Sequence, residues 1–179
     1  MNSMALKGKN VMSNSKSLRI SCMILAALAV AATASAQTDA QKAFTAIKTL
    51  PGSWEGKGSD GRELHVNFKL TGGGSAVMSE ILIPNEEMVS MFHLDGANRL
   101  LLTHYCAAGN QPRMQASVSP DGKIITFNYV DATNLDAPDA GHMQRMVLTM
   151  IDPNHHTEEW TFAEHGKEMK EFFDLRRKM

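Results

Sequence analysis

Between Met88 and Met114 the chain gathers most of the side chains that could bind or transform a small molecule: His93, His104, Tyr105, Cys106, Asn110, Gln111 and Arg113. Histidine and tyrosine donate or accept a hydrogen bond, amides do both, and the planar guanidinium of Arg113 suits a carboxylate. Within Leu100–Cys106, Leu100, Leu102, His104 and Cys106 alternate with Leu101, Thr103 and Tyr105. In a strand each set occupies one face. If the even face lines a core, His104 looks inward beside Cys106. Both faces are rich in apolar residues, so the sequence leaves the inward face open. Two chemistries follow. The first is a ligand pocket of apolar walls with a few placed polar groups: His93, His104, Tyr105, Asn110, Gln111 and Arg113. The second is an enzyme acting on a bound carbonyl compound through His104 with Tyr105 or Cys106. An activated thiolate needs an electropositive setting, and no third orienting group stands out near Cys106. No residue is therefore assigned as catalytic.

Other clusters carry less. The seven histidines are His65, His93, His104, His142, His155, His156 and His165. They lack the i, i+2 or i, i+4 pairing of a metal site, and no Cys-x-x-Cys or His-Glu-x-x-His is present. No metal is expected. His155-His156 read as turn residues facing water, and Glu80, Glu158 and Glu159 as strand residues facing solvent. Met78, Met88, Met91, Met114, Met143, Met146, Met150 and Met169 fall in strands, where flexible thioethers fill irregular cores.

The frame for these residues is read from periodicity and turn signals. Asp39–Leu50 reads as one short helix, with Phe44, Ile47 and Leu50 at helical spacing and Pro51-Gly52 ending it. Beyond it the pattern has period two. Leu64, Val66, Phe68 and Leu70 alternate with Glu63, His65, Asn67 and Lys69. Further strands are expected at 75–83, 88–93, 100–106, 113–118, 123–130, 142–151, 156–163 and 167–176, separated by turns rich in glycine, proline and asparagine. With a short segment around Trp54 this makes about ten. Short sequential connections imply an all-β antiparallel meander, and closure into a barrel removes its exposed edges. A two-sheet sandwich is the competing arrangement.

The first 36 residues differ from the rest. Lys7, Lys9, Lys16 and Arg19 precede an apolar run from Met23 to Ala32, which ends in Thr33-Ala34-Ser35-Ala36. That order is expected of a secretory signal cleaved after Ala36. Cys22 precedes the run, so it is not the lipid-bearing cysteine of an anchored lipoprotein, and no membrane anchor is expected after cleavage. Removing 36 of the 179 residues leaves 143, enough for one domain with a core. The signal holds four of the eighteen basic residues and none of the nineteen acidic ones. Residues 37–179 therefore carry fourteen against nineteen, a net charge of −5. An acidic domain argues against nucleic acid as a partner. Cys106 is the single cysteine of that segment, which rules out a disulfide within it. The expected address is periplasmic or secreted.

Two groups of residues carry a family resemblance. The helix followed by Leu50-Pro51-Gly52-Ser53-Trp54 resembles the Gly-x-Trp opening of calycins, the superfamily of lipocalins, fatty-acid-binding proteins and nitrobindin-like barrels. The resemblance implies that Gly52 and Trp54 close a barrel floor and that a late arginine, Arg176 or Arg177, packs across the tryptophan. A second group, Met91-Phe92-His93-Leu94-Asp95-Gly96, Leu101-Leu102-Thr103-His104-Tyr105-Cys106 and Gly109-Asn110-Gln111-Pro112-Arg113-Met114, resembles exported bacterial proteins of unknown function with a lipocalin-like domain. It implies a fold and an address but no substrate. The likeness to nitrobindin-like barrels alone brings in haem, with His142, His156 or His165 as the axial ligand.

Overall fold

The computed structural model describes residues 36–179, and Gln37–Met179 form a compact unit. All but the last residue of the segment read as an export signal lies outside these residues. A helix, α1 (Asp39–Ile47), precedes ten strands: β1 (Gly52–Gly58), β2 (Glu63–Thr71), β3 (Ala76–Ile83), β4 (Glu86–Asp95), β5 (Arg99–Tyr105), β6 (Gln111–Val118), β7 (Ile124–Thr133), β8 (His142–Asp152), β9 (His155–Glu164) and β10 (Lys167–Arg177). Each strand pairs antiparallel with the next, and β1 pairs with β10. The barrel is closed, so no strand edge is left unpaired, and the sandwich alternative is excluded.

Helix α1 begins with a capping box. The Gln41 N–H donates to Thr38 Oγ1 at 3.2 Å, and the Thr38 N–H donates to Gln41 Oε1 at 2.9 Å. The helix stops at Ile47, three residues before the expected end. Thr49 and Leu50 donate their N–H groups to the carbonyls three residues back, and Pro51 disfavours helical geometry at the residue before it. Ala40, Ala43, Phe44 and Ile47 form its buried face, which joins the barrel core and touches β4, β5 and β6.

Strand parity sets the interior. Trp54 on β1 opposes Val66 on β2, and Leu64, Val66 and Phe68 point in. Phe173 and Leu175 do so on β10, Phe127 and Ile125 on β7, and Met146 and Leu148 on β8. At Gly56 a Cβ atom would lie 1.8 Å from the Asp174 carbonyl oxygen, so β1 and β10 pair this closely only because the residue is glycine.

One end of the barrel is sealed by α1 and Trp54. The Trp54 Nε1–H donates to the Leu50 carbonyl at 2.9 Å. The Arg177 guanidinium lies 4.3 Å over the indole and donates to the carbonyls of Pro51 at 2.8 Å and Thr49 at 2.9 Å. Gly52, at φ 131°, leaves room for it, because a Cβ there would lie 2.8 Å from Arg177 Nη1. The arginine over the tryptophan is thus Arg177. Arg176 is exposed, since odd-numbered residues of β10 point inward at this end.

Candidate functional site

Among the described residues no helix lies across the other end of the barrel. There the turns after β1, β3 and β5 border a cavity of about 660 Å3. Its walls come from strands at opposite ends of the sequence, with Ile81, Ile83 and Met88 from β3 and β4, and Met143, Phe162 and Phe173 from β8, β9 and β10. Exposed Arg62, Asn85, Glu86 and Ala107 edge its opening. Buried His104 and Trp160 lie at its inner end, and half-buried Cys106 stands between them and the rim. An apolar cleft of this size with few polar groups is the usual form of a small-ligand site.

His104 is the central polar group. It follows Leu100 and Leu102 on the inward face of β5, and its ring lies 4.8 Å from that of Trp160. Its Nδ1 lies 2.9 Å from the Oγ of Ser90, which is buried on β4 directly opposite. Its Nε2 is buried with no hydrogen-bond partner among the described residues. Burial pushes the His104 pKa down to about 4, so the ring is neutral at ordinary pH. Burial also raises the Cys106 thiol, which opposes the thiolate that nucleophilic chemistry needs.

Behind Trp160 lies a second polar group, on the inward face of β9. The Glu158 carboxylate, 1% exposed, accepts from Trp160 Nε1 at 2.9 Å and from His156 Nε2 at 3.3 Å. The His156 ring stands edge-on to Trp54, 4.3 Å away, and to Phe68, 5.6 Å away. Two expectations are corrected here. Glu158 does not face solvent, and His156 is neither in a turn nor exposed. His156, Glu158 and Trp160 share one strand parity, and a tryptophan on that face is the sequence signal that all three turn inward. His155, on the other face, pairs with Asp174 at 2.9 Å.

The remaining residues expected around a ligand do not converge. His93 lies on the opposite face of β4 from Phe92, with Nδ1 donating to the Leu94 carbonyl at 3.2 Å. Tyr105 is 50% exposed on the outer face of β5. Arg113 is exposed on β6, its fork closed on Asp131 at 2.5 Å, because inward-facing Met114 sends its neighbour outward. Gln111 donates to the Gly109 carbonyl and accepts from Thr133. Asn110 is buried and donates to the Gly141 carbonyl at 2.8 Å, tying the turn after β5 to the loop after β7. Of the six, His104 alone lines the cavity.

None of the histidines considered for haem lines it either. His142 has both ring nitrogens engaged, Nδ1 with the Ala140 carbonyl and Nε2 with Gln144. His165 is exposed and pairs with Asp139, and His156 sits below with Glu158. These three do not fit an axial role in the cavity. Among the described residues no group of three His, Cys, Asp or Glu side chains is placed to hold a metal ion.

Fold and cavity together define a closed ten-strand antiparallel barrel with one sealed end and one open end. Among solved structures the chain is similar to a crystal structure of Rv2717c from M. tuberculosis, with a TM-score of 0.55 and 17% identity over 76% of this chain and 98% of that one. The likeness is one of fold. No family model matches the chain, and no curated protein matches it.

Proposed function

We propose that the protein is an exported, calycin-like barrel that binds a small, largely apolar molecule with a polar head in the open end of the barrel. The observation that carries this reading is His104, whose buried Nε2 stands without a hydrogen-bond partner among the described residues at the inner end of an apolar-walled cavity. A buried polar atom of this kind is costly unless something satisfies it, and a ligand is one means of doing so. Export is supported by the basic residues, apolar run and Thr33-Ala34-Ser35-Ala36 in the order that secretion requires. The enzymatic alternative gains less support, because His104 is held neutral, Cys106 is held as the thiol, and Tyr105 is on the other face.

A thermal-shift screen of small apolar compounds tests the site. Hits are expected to lose most of their stabilising effect in His104→Leu and to keep it in Arg113→Ala, whose side chain lies outside the barrel. Hits that act equally on wild type and His104→Leu, or that depend on Arg113, would show that ligands bind elsewhere.

A further inference from the structure

The Ser90–His104 contact constrains what the cavity can hold. Each of the two side chains has the other as its hydrogen-bond partner among the described residues, and both are fully buried. A neutral imidazole carries one proton, and the serine hydroxyl carries one. If Nδ1–H donates to Ser90 Oγ, the hydroxyl proton and the Nε2 lone pair are both left unmatched. If the Ser90 hydroxyl donates to Nδ1, the ring proton sits on Nε2 and only that N–H is left unmatched. The second arrangement strands one buried polar group rather than two, so it is the more stable. His104 then presents a hydrogen-bond donor to the cavity.

The surroundings narrow the choice of acceptor. The Trp160 N–H is already taken by Glu158, so it does not add a second donor. Among the described residues no unpaired cation lies at the inner end. The two basic residues lining the cavity, Arg62 and Lys170, are exposed and paired with Asp60 and Glu159, and the rim also carries Glu86 and Glu171. A carboxylate placed against His104 would be desolvated without a counter-charge, and an ammonium group would meet a donor.

We infer that the cavity selects molecules whose buried end is an uncharged hydrogen-bond acceptor, a ketone, aldehyde or ester carbonyl on an apolar skeleton, with the oxygen accepting from His104 Nε2–H. This rests on the cavity being the ligand site.

The test has two parts on the full domain. Side-chain 15N NMR at neutral pH is expected to show His104 Nδ1 as the unprotonated nitrogen and Nε2 as the protonated one. Ser90→Ala should shift that balance. Calorimetric titrations then compare octan-2-one, octanoate and octylammonium. Octan-2-one is expected to bind roughly tenfold or more tightly than the two ions, whose charge is desolvated without a counter-charge, and to bind about tenfold more weakly in His104→Leu, the effect of one hydrogen bond. An Nε2 lone pair in the NMR spectrum, or octanoate binding as well as the ketone, would overturn the carbonyl preference while leaving the cavity as a ligand site. Failure of all three probes to bind wild type or to perturb His104 would overturn both.

Discussion

The two ends of the barrel are built from the same pair of residue types and treat them differently. At the sealed end His156 stands edge-on to Trp54, and at the open end His104 lies against Trp160. Glu158 joins them, accepting from His156 on one side and from Trp160 on the other. Around Trp54 the space is taken by the His156 ring and the Arg177 side chain, and the indole N–H and guanidinium are bonded to backbone carbonyls. His156 Nδ1 also has no partner among the described residues, but its ring is enclosed between aromatic rings. His104 Nε2 borders a cavity instead. The pair at the sealed end is therefore enclosed in the core, and the pair at the open end is the one that the proposed ligand would meet.

The largest contrast is expected on truncation. Trp54→Ala removes a fully buried ring, its hydrogen bond and the platform under Arg177, and should cost about 3–5 kcal/mol by denaturant titration. Met88→Ala, in a wall that already borders open space, should cost nearer the lower limit for such changes, about 2 kcal/mol. Equal costs would mean that the two ends are packed alike.

The next effect is in pH. His104 has a folded pKa of about 4 against 6.5 for the free side chain, so between these values the unfolded chain takes up a proton that the folded one refuses. Its contribution is fully present above pH 6.5 and is lost as the pH falls toward 4, by an amount on the order of 3 kcal/mol. Comparing unfolding of wild type and His104→Leu across that window isolates it from exposed His165, whose pKa Asp139 raises and which acts in the opposite sense. Parallel pH profiles for the two proteins would sink the claim that His104 is buried and neutral.

Enlarging side chains gives the smallest effect. Val66→Phe, beside Trp54, should destabilise by about 1–3 kcal/mol, while Ile83→Phe, in the cavity wall, should cost less than about 1 kcal/mol. A severe penalty at Ile83 would argue that the cavity is tighter than described.

Much of this frame is legible in the residues. Alternation in Leu64–Leu70 and glycine-rich turns mark the strands, and short connections imply the closed meander. The placement of His104 with Leu100 and Leu102 is also legible as a shared face, but which face is inward depends on barrel closure. The expected cluster around it fails for a simple reason. Neighbours on a strand point opposite ways, so nearness in sequence puts His93, Tyr105 and Arg113 outside. Apart from Ser90 and Met88 on neighbouring β4, the companions of His104 come from β3, β8, β9 and β10, which local spacing does not connect to it. Glu158 is misleading because its charge suggests solvent, whereas its parity with Trp160 turns it inward.

The two tryptophans allow the most direct test, since one marks each end. In Trp54→Phe only Trp160 emits, and a brominated ligand such as 5-bromooctan-2-one, whose halogen lies near the buried carbonyl, serves as a contact quencher. Saturable quenching of Trp160 is predicted, while wild type keeps the share of emission that belongs to Trp54. Absence of saturable quenching in Trp54→Phe, or complete quenching in wild type, would contradict a ligand site confined to the open end.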